Sequence, residues 1–151
     1  MKKDVLNSTT MTKAMYYVIQ WTWGILMNIV GLGAFIIALF KHWEIDMYRN
    51  AVRITTNDPS YGGVSLGMFF VVGTKSDSLS QHEYGHTIQN LEWGVLFPFV
   101  IGLPSLIRCF YLNKKYYDKN LKAPVEYDDA WFEGQATSYG RQAAEGKWNW
   151  L

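Results

Sequence analysis

The sequence predicts a mainly α-helical protein with a small β element, preceded by one N-terminal transmembrane helix. Two observations support this class: an uncharged run of 27 residues at 14–40, and a Val- and Phe-rich run at 64–73 that is bounded by glycines. A chain of 151 residues has room for one hydrophobic core. The predicted organisation is therefore an N-terminal polar segment (1–13), the transmembrane helix (14–40) and one domain (41–151).

The uncharged run, AMYYVIQWTWGILMNIVGLGAFIIALF, lies between Lys13 and Lys41. As an α-helix it extends about 40 Å, enough to cross a hydrocarbon layer roughly 30 Å thick with some tilt. A cleavable signal peptide is one alternative, because Lys2 and Lys3 resemble its basic start. The apolar core of a signal peptide, however, is shorter than this run and ends at a small-residue cleavage site, which this run lacks. A buried core helix is the other, and it would use most of the core of so short a domain. Basic residues are balanced on the two sides of the run, so no orientation is predicted.

A second uncharged run, 93–107 (WGVLFPFVIGLPSLI), contains Pro98 and Pro104. Two prolines argue against a straight spanning helix. The run is predicted either as a re-entrant or interfacial segment or as a wall of the core.

The other elements are predicted from local signals. Residues 44–60 are expected to hold a short helix, and residues 64–73 a strand. A helix follows, with Ser78 and Gln81 as its capping box. A last helix begins at Asp128 and Asp129 and ends at about Glu145.

Composition excludes several classes of protein. Lys plus Arg total 14 and Asp plus Glu 13, without a basic cluster, which argues against a nucleic-acid partner. The single cysteine, Cys109, excludes an internal disulfide and a Cys-rich zinc module. Only 18% of the residues are charged while 17% are aromatic, which favours a lipid bilayer as a partner.

One motif carries chemistry: His82-Glu83-Tyr84-Gly85-His86, an HExxH. Two histidines at positions i and i+4 of a helix share a face, so both imidazoles can reach one metal ion. Glu83 points to one side of this pair and can reach a metal-bound water without ligating the metal. This division of roles suits hydrolysis by a zinc-activated water with Glu83 as general base.

A catalytic zinc usually has three protein ligands, so a third is expected. His42 lies at the end of the predicted spanning helix and fits a membrane interface better. Glu133 is the best candidate, because Ala136, Thr137 and Gly140 follow it and small residues let two helices approach closely. Gly85 allows the same approach from the HExxH helix. The alternatives for the third ligand are Glu126, Asp128, Asp129 and Glu92.

The metzincin pattern is excluded, since Gln89 and Glu92 stand where it requires glycine and histidine. The sequence instead resembles the gluzincin group of zinc metallopeptidases over roughly residues 62–141. The resemblance is carried by HEYGH together with Glu133-Gly134-Gln135-Ala136, which is similar to the ExxA form of small, membrane-bound members. Many of those members have an aspartate after the alanine, whereas this chain has Thr137.

The resemblance implies a minimal zincin-like domain with one Zn2+ held by His82, His86 and Glu133. Glu83 would be general base and acid in a membrane-anchored zinc metallopeptidase that hydrolyses a peptide or protein. Strand 64–73 beside the HExxH helix would bind an extended peptide by β-augmentation. Candidates for supporting a ligand or stabilising an oxyanion are Asp129, Tyr139 and Arg141. The alternative class is a catalytically silent membrane adaptor or immunity-type protein with a vestigial or structural metal site.

Overall fold

A computed structural model describes residues 13–147, so the predicted polar segment 1–13 lies outside the described residues except for Lys13. Helices and one four-stranded sheet make up most of this part, which confirms the mainly helical class with a small β element. The helices are α1 (Lys13–Thr22), α2 (Ile25–Lys41), α3 (Asp77–Trp93), α4 (Leu103–Lys115) and α5 (Trp131–Ala144). The strands are β1 (Glu44–Tyr48), β2 (Ala51–Thr55), β3 (Gly63–Leu66) and β4 (Phe69–Val72).

The continuous helix predicted over 14–40 is broken into α1 and α2, which meet at an angle of 93°. Buried polar side chains explain the break. Gln20 donates from Nε2 to the Thr87 carbonyl at 2.9 Å and accepts at Oε1 from Asn90 at 2.7 Å. Asn28 donates to the Gln20 carbonyl at 2.6 Å. Buried amides need such partners, and these partners lie on α3 or at the bend itself.

Within residues 13–147, no single helix has both the length and the apolar character needed to cross a bilayer. Two bent pairs reach that length and composition together. One is α1 with α2, and the other joins Asp77–Leu96 to Pro98–Lys119 at 117°.

The helix predicted within 44–60 is wrong, because Glu44–Tyr48 and Ala51–Thr55 form strands β1 and β2 and residues 56–60 form no helix. Strand β2 pairs antiparallel with β1 and parallel with β4, and the sheet order is β1-β2-β4-β3. Ala51 and Ile54 of β2 are fully buried. β-branched residues suit a strand paired on both sides, and this pairing across the chain overrides a weak local helix preference.

The single strand predicted at 64–73 is instead a hairpin. Its strands, β3 and β4, are joined at Gly67 and Met68, and Gly67 has a φ of +75°. A Cβ at Gly67 would lie 1.9 Å from Asn28 Oδ1. The Met68 amide donates to that same oxygen at 2.7 Å, so the turn is fixed against α2. Strand β3 lies at an edge of the sheet.

The sheet is covered on both faces. Val71 and Ile54 pack against Ala38 of α2 on one face. Phe70 and Val72 pack with Tyr84 and Ile88 of α3 on the other. This second cluster also contains Tyr16, Leu91, Tyr139 and Ala143 from α1, α3 and α5. Helix α3 is therefore held between the sheet and α5.

Two predicted helix starts are shifted. Helix α3 is preceded by Ser76 as its N-cap residue, with no capping hydrogen bond from that side chain, so the predicted Ser78 capping box is wrong. The last helix starts at Trp131, because Tyr127–Asp129 form a separate 3-10 turn. The predicted end of that helix near Glu145 is confirmed.

The run 93–107 is not a straight helix. It forms a 3-10 turn (Gly94–Leu96) and a π-helical segment (Pro98–Gly102) before α4 begins. Phe97 and Ile101 are buried in a cluster with Met27, so this side of the run lines the core, and the re-entrant or interfacial segment stays a prediction. Phe99 and Ile107 are 68% and 59% exposed, so the opposite side of the run is uncovered.

Large apolar side chains are exposed on the outer faces of α1, α2 and the segment that leads through α4. Uncovered apolar surface of this extent usually contacts a lipid or a protein. The most exposed of these side chains are Val18, Ile29, Val30, Ile37, Leu39, Phe40, Phe99, Leu103, Ile107 and Phe110.

Candidate metal centre

The structure brings His82 and His86 of α3 together with Glu133 of α5. One donor atom from each of the three residues lies within 4.8 Å of the other two. Glu133 Oε2 is 3.1 Å from His82 Nε2 and 3.2 Å from His86 Nε2. The histidines lie one turn apart on a helix, as the HExxH spacing predicts, and their rings are 4.9 Å apart.

Two close contacts between main chains let α3 and α5 approach this far. A Cβ at Gly85 would lie 1.8 Å from the Ala136 carbonyl oxygen, and a Cβ at Gly140 would lie 1.8 Å from the Gln81 carbonyl oxygen. Glycine is therefore required at both positions. The close approach predicted from Gly85, Ala136 and Gly140 is confirmed.

Gln89 orients His86. Its amide Nε2 donates to the Phe132 carbonyl and to Gln135 Oε1, each at 2.8 Å. Because the amide nitrogen faces those acceptors, Gln89 Oε1 faces His86 Nδ1, 2.6 Å away. An amide oxygen only accepts, so Nδ1 carries the proton. In the neutral imidazole Nε2 is then unprotonated, and it points at the Glu133 carboxylate.

Glu133 is fully buried and ionised. Burial alone would raise its pKa, but His82 and His86, together with the hydroxyl of Ser105 that donates to Oε1, hold the pKa well below its usual range. For His86, burial would lower the pKa, yet the Glu133 carboxylate, which a protonated Nε2 would bind, and the charge of Glu83 raise it. A buried carboxylate faced by two imidazole nitrogens is stabilised by a positive charge, supplied either by a protonated imidazole or by a cation held between the three side chains.

These distances fit a metal ion. Donors about 2.0–2.1 Å from a tetrahedral zinc are roughly 3.3 Å from one another. The two measured separations between Nε2 and Oε2, 3.1 and 3.2 Å, are close to that value. The two imidazoles and the carboxylate are also the donor types that zinc takes in catalytic sites. The His82, His86 and Glu133 cluster could therefore hold a metal ion.

Glu83 lies beside this cluster and faces β3. Ser65 Oγ is 2.6 Å from the Glu83 carbonyl oxygen and 2.9 Å from Glu83 Oε2. A Cβ at Gly63 would lie 2.3 Å from Oε1, so the glycine leaves room for the carboxylate. Glu83 is 5% exposed and does not belong to the three-residue cluster.

A cavity of about 340 Å³ adjoins the cluster. Its lining includes His82, Glu83 and His86, together with residues 62–65, which contain the start of the edge strand β3. A further, largely apolar part of the lining comes from the segment 97–113. It consists of Phe97, Ile101, Gly102, Ser105, Leu106, Cys109, Phe110 and Asn113. A largely apolar cavity that ends in a few polar groups is typical of a ligand site.

Three further candidates from the sequence are not placed at the cluster. Asp129 is exposed and accepts from the Glu126 amide at 2.9 Å, which caps the turn before α5. Tyr139 donates to Glu92 at 2.9 Å and lies in the core. Arg141 is exposed on the last turns of α5.

The alternative ligands are also accounted for. Glu92 accepts from Tyr139, and Glu126 belongs to the capped turn. His42 is the exposed residue that ends α2, in a left-handed conformation. Within residues 13–147, the one group of three potential metal donors is His82, His86 and Glu133.

Sequence reasoning missed several residues of this site. Ser105 had a detectable signal, since it is a lone hydroxyl in an otherwise apolar run. Tyr127, which lines the cavity with its ring 6.0 Å from that of His82, also precedes the predicted helix start. Burial raises its pKa, so its phenol stays protonated and can donate a hydrogen bond. Gln89 and Ser65 had no local signal, because only the folded chain brings them to His86 and Glu83.

The fold and site define a mainly helical protein with a small sheet and a buried His-His-Glu cluster that could hold a metal ion. No protein-family model matches this chain. Neither the curated proteins nor the solved structures contain a match to it.

Proposed function

We propose that this protein is a membrane-bound zinc metallopeptidase of the gluzincin type. The observation that supports it best is the shared focus of three donors: His82 Nε2 and His86 Nε2 each lie within 3.2 Å of Glu133 Oε2. A structural zinc site is usually closed by four protein ligands. Three donors beside an open cavity favour catalysis over the silent-adaptor alternative.

When bound, a zinc ion supplies the Lewis acidity that polarises a carbonyl group and acidifies water. His82, His86 and Glu133 would hold it. The Glu83 carboxylate accepts a proton from the water that attacks the peptide carbonyl. It later gives that proton to the amine that leaves when the peptide bond breaks. Ser65, 2.9 Å from Glu83 Oε2, holds the carboxylate toward the cavity.

A peptide substrate is supported by the edge strand that borders the cavity. The Gly73 amide donates to the Gly62 carbonyl at 2.9 Å, and Gly63 pairs with Val72 in the antiparallel register. In this register the main-chain groups of Val64 face β4, and those of Gly63 and Ser65 face the open edge. An extended peptide can pair with those groups and pass the metal cluster.

Tyr127 is the best placed donor for the developing oxyanion. It lines the same cavity as the two histidines and Glu83, and its half-buried phenol remains protonated because burial raises its pKa. In this proposal it takes the role that the sequence assigned to Tyr139 or Arg141.

Membrane binding is supported by the exposed apolar faces of α1, α2 and α4. Val18, Phe40 and Phe110 are 61%, 81% and 66% exposed. Lipid would cover these side chains and leave the polar residues Gln20 and Asn28 in the interior. Alkaline carbonate extraction should leave the protein in the membrane pellet, and release into the supernatant would refute this part.

Metal analysis and peptide hydrolysis test the enzyme proposal. Purified wild-type protein should contain one zinc per chain and cleave peptides from a fluorescence-quenched library. Glu83→Ala should retain the zinc and lose hydrolysis, whereas Glu133→Ala should bind zinc at least about tenfold more weakly. Glu145→Gln, an exposed change at the end of α5, is the control and should match the wild type.

Two outcomes would refute the role assignments: loss of zinc from Glu83→Ala, or full retention by Glu133→Ala. A wild-type protein that binds zinc and cleaves none of the peptides would support the silent alternative.

A further inference from the structure

A second carboxylate is connected to the metal cluster through one hydroxyl. Thr137 Oγ1 lies 2.8 Å from His82 Nδ1 and 3.1 Å from Asp128 Oδ1. Thr137 is one turn after Glu133 on α5, and Asp128 lies in the 3-10 turn that precedes α5. The three side chains form a continuous chain of contacts from the cluster to the protein surface.

The direction of these hydrogen bonds follows from their chemistry. An ionised carboxylate only accepts, so the single hydroxyl proton of Thr137 is donated to Asp128. Thr137 Oγ1 must then accept from His82, which places the imidazole proton on Nδ1. Nε2 of His82 is left with its lone pair directed at Glu133 Oε2, 3.1 Å away.

Backbone contacts fix the turn that carries Asp128, although the Asp128 side chain is exposed. Arg108 of α4 donates to the carbonyl oxygens of Glu126 at 2.7 Å and Tyr127 at 3.2 Å. A Cβ at Gly134 would lie 2.7 Å from the Asp128 carbonyl oxygen, so the turn packs directly on the first turn of α5. Backbone contacts on two sides therefore hold Asp128 within reach of Thr137.

We propose that Asp128 and Thr137 act as one positioning unit for His82: the Asp128 charge orients the Thr137 hydroxyl, and this hydroxyl sets the tautomer and ring orientation of the histidine. The unit supplies with two residues the acceptor that a single carboxylate at position 137 would supply directly. Partners that orient a ligating histidine raise its basicity and commonly change metal affinity by about 10–100-fold. This inference rests on the proposed zinc site.

The test measures zinc affinity by competition with a chromophoric chelator, independently of hydrolysis. Thr137→Val and Asp128→Ala should each bind zinc about tenfold more weakly, whereas Thr137→Ser, which keeps the hydroxyl, should bind as the wild type does. Asp129→Ala is the matched control: it removes the neighbouring carboxylate, which caps the turn without touching Thr137. Thermal unfolding of each metal-free variant verifies that the fold is retained.

Two combinations separate a positioning role from a general structural one. The double variant Thr137→Val with Asp128→Ala should bind zinc no more weakly than Thr137→Val alone, because Thr137→Val already breaks the connection between Asp128 and His82. Thr137→Asp should restore affinity to within about threefold of the wild type in the Asp128→Ala background, since a carboxylate at 137 can accept from His82 directly.

The inference is overturned if Asp128→Ala binds zinc as tightly as Asp129→Ala, or if the losses in the double variant simply add. The readouts also separate it from the proposed function. Zinc binding that depends on Asp128 without peptide hydrolysis would refute the peptidase and leave the positioning unit in place. Peptide hydrolysis together with zinc binding that does not depend on Asp128 would support the peptidase and refute the positioning unit.

Discussion

Gly85 of α3 lies directly against the main chain of Ala136 on α5, at a distance that leaves no room for a side chain. A Cβ at position 85 would be 1.8 Å from the Ala136 carbonyl oxygen. Gly85 is the residue before His86, and Ala136 is three residues after Glu133. The contact therefore sets how closely α3 and α5 approach, and with it the separation of the candidate metal donors His82, His86 and Glu133.

Replacing this glycine should separate the two helices. Gly85→Ala is expected to lower the free energy of unfolding by about 2–3 kcal/mol, because the methyl group must displace backbone in a packed interior. Zinc affinity should fall with it. Gly33→Ala is the control, since a Cβ there meets nothing within 4 Å. Equal stability of the two variants, measured by urea unfolding, would contradict the role of the contact.

The bend between α1 and α2 can be tested at Gln20. Gln20→Leu removes the partner of the Thr87 carbonyl and of the Asn90 amide, and a buried polar group left unpaired costs about 1–3 kcal/mol. We therefore expect a lower unfolding temperature than for Val18→Leu, a change at a side chain that is 61% exposed. A Gln20→Leu protein as stable as the wild type would indicate that this face does not pack on α3.

In the proposed peptidase, the cavity should limit the size of the substrate side chain next to the scissile bond. Leu106 lines it and is 46% exposed, so Leu106→Trp narrows the cavity without overpacking the core. Cleavage of peptides with Phe or Leu next to the scissile bond should fall about tenfold or more, while peptides with Ala should be affected less. Zinc content should not change. Ile107→Trp alters the neighbouring side chain outside the cavity lining and should cleave both peptides as the wild type does.

Strands β1 and β2, where the sequence predicted a helix, are joined by an ion pair whose contribution to stability depends on pH. Arg53 donates two hydrogen bonds to Asp46, at 2.9 and 2.6 Å, and chiefly through them lowers the pKa of that carboxyl. A carboxyl whose pKa is lower in the folded state stabilises the protein above its unfolded pKa of about 3.9, and loses that effect as the pH falls.

Asp46→Asn should therefore lower the free energy of unfolding by about 1 kcal/mol at pH 7, a small value because the pair is partly exposed. The difference from the wild type should shrink as the pH is lowered below about 4. Thermal unfolding at both pH values measures it, with the exposed Asp118→Asn as control. A difference that grows in acid would mean that Asp46 is not stabilised as an anion.

The part of the site that lies on one helix was predictable from sequence. His82, Glu83 and His86 are within five residues, and helix geometry alone sets their relative positions. Glu133 was predicted as the third ligand from the small residues that follow it and from the family resemblance. Gln89 and Ser65, which contact His86 and Glu83, were not predictable, because neither carries a distinctive local pattern and only the folded chain brings them to the site. Asp129 was favoured over Asp128 by its position one turn before Glu133, but the 3-10 turn directs Asp128 toward Thr137 instead.

The long uncharged run shows the same limit for the fold. Its length and composition predicted one continuous helix, because the mean hydropathy of the run is little affected by its two polar residues, Gln20 and Asn28. Folding turns these two amides toward Thr87, Asn90 and Met68, partners that lie far away in the chain. Their burial breaks the run into α1 and α2, which reach different parts of the protein.

The sequence by itself determined the pair of histidines one turn apart, the adjacent glutamate and the mainly helical character, because each depends on contacts within a few residues. The tertiary structure decided the third donor, the break at residues 23–24 and the pairing of β2 with β4. Each of these depends on groups distant in sequence, and their proximity is set by backbone contacts at glycines and by the hydrogen-bonding needs of buried polar side chains.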